Sequence, residues 1–137
     1  MEHIASLITR EKSGEFMNLK EIIDVVDGQL LVDAPVNIDI RNACCSDLMS
    51  DVLLFVKPNM LLITGLTNPQ SVRTADMAEA PIIIFARGKH PAPETLALAE
   101  DLGIAVVLSA YTMFETAGLL YEAGLRGMGK LPIVHQR

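Results

Sequence analysis

The sequence predicts an α/β domain, a three-layer α/β/α sandwich whose mostly parallel sheet is built from repeated βα units. Two observations carry that prediction. Three apolar runs, MLLITGL, PIIIFARGK and IAVVLSA, show no polar alternation, which is how strands covered on both faces read. Each run is followed by a loop and then by apolar residues at helical spacing, and alternating β and α units imply parallel pairing with right-handed crossovers.

Three segments are expected along the chain: an extension or short helix over 1–16, the α/β domain over 17–125, and a tail or edge segment over 126–137. In the first, Ile4, Leu7 and Ile8 share a helical face and Gly14 breaks the pattern. That segment reads either as a docking helix or as an extension ahead of a natural start at Met17. Asn18 is placed to cap a helix with Glu21 as its reciprocal partner. Leu19, Ile22, Ile23 and Val26 form that helix's buried stripe, and Gly28 stands where its C-terminal stop is expected. GQLLVDAP reads as a short strand ended by Pro35, and VNIDIRNACC as another.

Ser46 and Asp47 suggest the next helix start, with Leu48, Met49, Val52, Leu53 and Val56 as its stripe and Lys57-Pro58-Asn59 as its end. After MLLITGL a helix is expected over about 70–79, with Val72, Ala75 and Ala78 inward. After PIIIFARGK one is expected over 93–102, with Leu96, Ala99 and Leu102 inward. After IAVVLSA one is expected over 111–123, with Met113, Phe114, Ala117 and Tyr121 inward.

Composition excludes several function classes. Half of the 137 residues are apolar and only 20% are charged, which suits one folded core rather than disorder. With 4% aromatics and no Trp, that core is aliphatic. The formal net charge of −6 argues against nucleic acid and anionic membranes as partners, since both favour a basic surface. No apolar run reaches the roughly 18–20 residues that cross a bilayer, no secretory leader is evident, and two adjacent cysteines do not make a disulfide framework. A cytoplasmic location is expected.

In an open parallel sheet ligands collect at the carboxyl ends of the strands. The candidate binding residues there are Thr64, Gly65 and Asn68, then Arg73 one turn into the following helix, then Arg87, Gly88 and Lys89, and finally Ser109. Three cations near one edge of an acidic chain, beside helix N-termini, suit a nucleotide, a phosphate-bearing small molecule or a carboxylate. Ordinary loop chemistry, with glycines turning the chain and solvated cations, explains the same letters.

Sharper motifs fail. Gly124 to Lys130 is one residue short of a phosphate loop, follows a helix rather than a strand, and is followed by Leu131 where Ser or Thr is needed. His3, His90 and His135 are scattered, so no metal site and no cofactor are expected. Cys44 and Cys45 point to opposite faces of a strand, one into the core and the other near a helix start that would stabilise its thiolate. Asp47 and Asp51 read as acids favouring a helix dipole. No nucleophile–base–acid set is evident, so no catalytic residue is expected. A small enzyme acting on a phosphorylated metabolite, with Lys89 or His90 as acid or base, remains an alternative.

Leu61 to Gly65, the Arg87-Gly88-Lys89 turn, Pro91, Leu96 to Ala99, Gly103-Ile104 and Ser109 form an ordered set that resembles the DRTGG-type domain family. The likeness is carried by 53–109 and extends over about 17–125. Leu66-Thr67 stand where the family's Asp-Arg pair is sought and Gly88 is a single glycine, so no ligand contact is carried over from those letters. The resemblance implies a regulatory or assembly module, similar to the N-terminal domain of HPr kinase/phosphorylase and to the region inside CBS-containing pyrophosphatases. It implies a homodimer rather than an enzyme. The kinase chemistry of such relatives needs a phosphate loop, so kinase activity is rejected. A ligand-free subunit docking on a larger enzyme is the competing expectation.

Overall fold

The computed structural model describes residues 16–34, 37–130 and 133. The N-terminal apolar stripe, His3, Pro35 and His135 lie outside the described residues. In chain order the elements are α1 (Leu19–Val25), β1 (Gln29–Val32), β2 (Ala43–Cys45), α2 (Met49–Val52), β3 (Leu61–Thr64), α3 (Pro69–Met77), β4 (Ile82–Phe85), α4 (Pro93–Leu102), β5 (Ala105–Leu108) and α5 (Met113–Glu122). The strands form one sheet in the order β1-β5-β4-β3-β2. β2, β3, β4 and β5 run parallel, while β1 lies antiparallel on the far edge, pairing Gln29 with Leu108 and slipping register between Leu30 and Val32. The α/β sandwich with a mostly parallel sheet stands as read.

Strand periodicity sorts the core into two layers. Leu61, Ile63, Ile82, Ile84, Ala105 and Val107 face α1 and α5, where Ile22, Val26 and Leu120 meet them. Leu62, Ile83, Phe85 and Val106 face the other layer, where Val52, Val72, Ala75 and Ala99 cover them. Both faces are sealed, which is why these strands carry no alternation. Burying one such large side chain contributes about 1.5–3 kcal/mol.

The caps explain the helix boundaries. Asn18 and Glu21 form the expected reciprocal box, with Glu21 N–H donating to Asn18 Oδ1 at 2.9 Å and Asn18 N–H to Glu21 Oε1 at 3.2 Å. At the other end of α1 the left-handed residue is Asp27, at φ 48°, not Gly28. Gly28 is required for a different reason: a Cβ there would come within 2.6 Å of Val107 Cγ1. The left-handed glycine stop is found instead on α4, where Gly103 at φ 71° is the C-cap.

Three expectations about helix faces need correction. The segment beginning at Ser46 forms one turn, α2, not a two-turn helix. Its N-cap is Leu48, which makes no side-chain cap bond, and of the expected stripe only Val52 is buried, while Leu48, Leu53 and Val56 are exposed. On α5 the buried residues are Thr116 and Leu120, whereas Phe114 is 86% and Tyr121 60% exposed. The helix begins at Met113 on the Thr112 cap rather than at Tyr111, and Thr116 and Leu120, four residues apart, take the face turned to the core. Leu102 is likewise exposed, at the last turn of α4 just before the chain enters β5.

The segment after α5 returns to the sheet. Ala43 N–H donates to Arg126 O at 2.9 Å and Arg126 N–H to Arg41 O at 3.0 Å, covering the free edge of β2. Among the described residues no helix is long and apolar enough to cross a membrane.

Candidate functional site

The carboxyl ends of β2, β3, β4 and β5 converge on one rim. After β2, Ser46 N–H donates to Ile63 O at 3.0 Å, which carries Asp47 across the end of β3. Asp47 Oδ1 accepts from Gly65 N–H at 2.6 Å and from the Thr64 hydroxyl at 3.1 Å. The Thr64 oxygen in turn accepts from Leu66 N–H at 3.2 Å. A Cβ on Gly65 would lie 3.1 Å from Arg87 Nη2 and 3.3 Å from Asp47 Oδ1, so a side chain there would crowd the guanidinium and the carboxylate that both close over this Cα. Asp47 is the rim residue that sequence reasoning missed, having been assigned to a helix dipole. The usable signal was Gly65, since a glycine directly after a buried strand marks close approach by another group.

Arg87 opens a tight turn at the end of β4. Ala86 N–H donates to Thr64 O, Arg87 N–H to Tyr111 O at 2.7 Å and Gly88 N–H to Ser109 O at 2.7 Å, so the turn is stitched to both neighbouring strand ends. Arg87 and Gly88 are both left-handed, at φ 67° and 64°. For arginine that conformation costs on the order of 1 kcal/mol, and strain of this kind clusters at ligand clamps and switches. The side chains of Arg87, Lys89 and His90 are exposed. His90 Nδ1 lies 3.1 Å from Pro91 O.

Other predicted site residues are turned to structural work. Ser109 is fully buried; its hydroxyl reaches Val26 O at 3.4 Å and Thr116 Oγ1 at 3.1 Å and accepts from Tyr111 N–H. Those partners belong to the α1/α5 layer. Thr64 follows Leu62 in period and, in register with Phe85, belongs to the opposite layer. The sheet therefore separates Thr64 from Ser109. Asn68 caps α3, accepting from Gln70 N–H at 3.1 Å, and Arg73 lies exposed on that helix. The surface that remains for a ligand is the Arg87-Gly88-Lys89 turn beside Gly65, with the Asp47 carboxylate already on the Gly65 amide. That surface presents the exposed Arg87 and Lys89 cations; the Thr64 and Ser109 hydroxyls are spent on the scaffold.

No family profile matches the chain, and no curated protein does. A solved structure does match. The chain shares its fold with a regulatory region. That region comprises the CBS and DRTGG domains of the Clostridium perfringens pyrophosphatase, solved in complex with an activator, diadenosine tetraphosphate. The TM-score is 0.61 at 15% identity, over 88% of this chain and 57% of the other, so this chain spans little more than half of that structure. The DRTGG resemblance read from the sequence agrees with this likeness.

The cysteines correct one further expectation. They do lie on opposite faces, Cys44 against the α2/α3/α4 layer and Cys45 beside Met113 at the start of α5. Burial pushes the Cys44 thiol up, helped by Asp51, and burial pushes Cys45 up, helped by Cys44 and Asp47. Desolvation and the neighbouring carboxylate outweigh any stabilisation from the helix start. Among the described residues no group of three or more His, Cys, Asp or Glu is placed to hold a metal ion.

Proposed function

We propose that this chain is a cytoplasmic, non-catalytic regulatory or assembly module, homodimeric, that senses a nucleotide or other anionic ligand at the carboxyl edge of its sheet. The observation that carries the reading is Arg87, a left-handed arginine whose turn is pinned by its own N–H on Tyr111 O and by Gly88 N–H on Ser109 O, and which is left exposed over Gly65. Strain at an exposed cation has no packing benefit to offset it, whereas a bound phosphate would draw on both the guanidinium and Lys89. Gly65, Gly88 and Lys89 line the approach, with Arg73 and Asn68 on the adjoining helix; Thr64 and Ser109 hold the loops from below. The shared fold with a regulatory region supports the regulatory role.

The dimer is ascribed to the outer face of α5. Tyr111, Phe114 and Leu119 border a shallow concavity there, flanked by Glu115 and Glu122. Phe114 is the most exposed large apolar side chain on that helix, and a contiguous apolar surface of this kind marks an interaction site.

The test is a thermal-shift series with ATP, GTP, AMP, diadenosine tetraphosphate and sulfate. A ligand at a hundred times its dissociation constant adds about 2.7 kcal/mol. A rise that disappears in Arg87→Ala supports the sensor; no rise with any of them removes it. Sedimentation velocity on Phe114→Asp reads the dimer separately, and a wild-type monomer would end that part of the proposal.

A ligand-free subunit docking on a larger enzyme is favoured by a different observation, the exposure of Leu48, Leu53, Leu54 and Val56 in one short stretch. Capture of a partner that is lost in Leu54→Asp, with no ligand response, would select it.

A further inference from the structure

Nothing among the described residues calls for glycine at position 118. It sits in the middle of α5, where glycine is among the least favourable helix residues, and its φ is not left-handed. Beyond the adjoining helix backbone, a Cβ added there would meet no atom of the described residues within 4 Å, whereas one at Gly28 would reach Val107. A helix-interior glycine that faces open space leaves room for a second backbone to come close. Resting on the reading of α5 as the dimer face, we infer that two copies lay α5 against α5, antiparallel across a twofold axis at Gly118. Glu115 of each protomer then meets the Arg126–Tyr121 pair of its partner.

The residues around Gly118 fit that packing. Phe114, Gly118, Tyr121 and Glu122 share the helix face opposite the buried Thr116 and Leu120. Phe114 is 86%, Tyr121 60% and Tyr111 37% exposed. At roughly 200 Å² per aromatic side chain, these three leave about 350–400 Å² uncovered in each copy. That is close to half of the roughly 800 Å² that each partner gives to a standard interface. Glu115, Leu119 and Glu122 border the same concavity and extend the contact.

Charge sets the direction. Glu115 lies in the first turn of α5, and Arg126, just past its end, folds back so that its guanidinium lies 4.6 Å over the Tyr121 ring. Arg126 Nη1 donates to the Tyr121 and Leu125 carbonyls at 3.2 and 2.9 Å. A guanidinium carries five N–H donors, so others remain for a carboxylate. In an antiparallel crossing at Gly118, position 115, three residues before, lies opposite position 121, three residues after. Glu115 thereby meets the stacked Arg126, Phe114 meets the Tyr121 ring, and twofold symmetry makes each contact twice. A parallel crossing would set Glu115 on Glu115 and Glu122 on Glu122, and like charges so juxtaposed oppose association.

Sedimentation velocity over a dilution series reads the dimer constant. Gly118→Gln suits a helix but fills the crossing point, so it should weaken the dimer about ten-fold or more. The same substitution should raise the melting temperature of the dilute monomer by about 3 °C, because a helix former replaces glycine. That rise separates a blocked interface from a misfolded variant. Glu115→Arg alone and Arg126→Glu alone should each weaken the dimer about ten-fold, and the two together should return to within about three-fold of the parent. A dimer that is lost in Phe114→Asp but unchanged in Gly118→Gln, or no recovery in the exchanged pair, overturns the antiparallel crossing and leaves α5 as the dimer face. A parent protein that is monomeric at every concentration, or a dimer indifferent to Phe114→Asp, removes the dimer reading itself and this packing with it.

Discussion

Removing the Asp47 carboxylate tests the geometry of the rim directly. Asp47→Ala deletes the acceptor of the 2.6 Å bond from Gly65 N–H and of the 3.1 Å bond from the Thr64 hydroxyl. Gly65 is buried, so its amide loses a charge-assisted partner without ready access to a replacement. A hydrogen bond to a charged group contributes about 1.5–3 kcal/mol, and the exposed side of Asp47, which lets water in, pulls the expected loss towards about 1–2 kcal/mol. That corresponds to a melting decrease of about 4–8 °C in a domain of this size. Asp47→Asn keeps an oxygen acceptor and should lose about half as much. Asp51→Ala is the control, an exposed acid on α2 whose removal should stay within about 0.5 kcal/mol. Urea unfolding of the three variants supplies the values. If Asp47→Ala matches Asp51→Ala, the carboxylate does not hold the rim and the account given for Gly65 is wrong. The same substitution frees the Gly65 amide and leaves Arg87 without a neighbouring carboxylate. Any anion that binds at the turn should therefore bind Asp47→Ala more tightly than the parent, even though the protein is less stable.

The other predictions are simpler. Thr74 is fully buried on α3 and its hydroxyl has no partner among the described residues, so Thr74→Val should stabilise by about 1 kcal/mol in urea unfolding; destabilisation would mean that the hydroxyl is satisfied. Arg87→Gly relieves the left-handed arginine and should raise stability by about 0.5–1 kcal/mol net of glycine's chain entropy, while abolishing any ligand response. Loss of stability would show that the arginine side chain contributes more than its backbone costs. Both thiols have folded-state pKa values raised above the ordinary 9.0, so the folded state holds these protons more tightly than the unfolded chain. Their contribution is complete below pH 9 and is lost as pH rises through the folded values. The alkaline fall in melting temperature should be smaller in Cys44→Ala/Cys45→Ala, and an identical fall would assign it to other groups.

Local order along the chain was legible because local physics sets it. The Asn18–Glu21 box and the inward set Val72, Ala75 and Ala78 are decided within one or two turns, and each stands where periodicity and capping place it. The doubly buried strands were legible for the same reason, since an unalternating aliphatic run has no face left for water. Phe114 and Tyr121 were misread because apolar spacing cannot distinguish a face turned to the sheet from one turned outward, and Thr116 and Leu120 take the interior. Leu48, Leu53 and Val56 misled in the same way, because a stripe needs a layer to cover it and α2 ends after one turn.

The amino-acid sequence by itself determined the α/β class, the Asn18–Glu21 cap, the parallel core strands and the carboxyl rim as the place where polar and cationic residues gather. Only the tertiary structure decided what those residues do there. Register places Thr64 and Ser109 on opposite sides of the sheet, and the crossing of the β2 end over β3 sets Asp47 on the Gly65 amide beside Arg87. The physical reason is range. Caps and periodicities act between residues a few positions apart, whereas Asp47 and Gly65 are joined by a hydrogen bond across a strand pairing, which no local preference encodes.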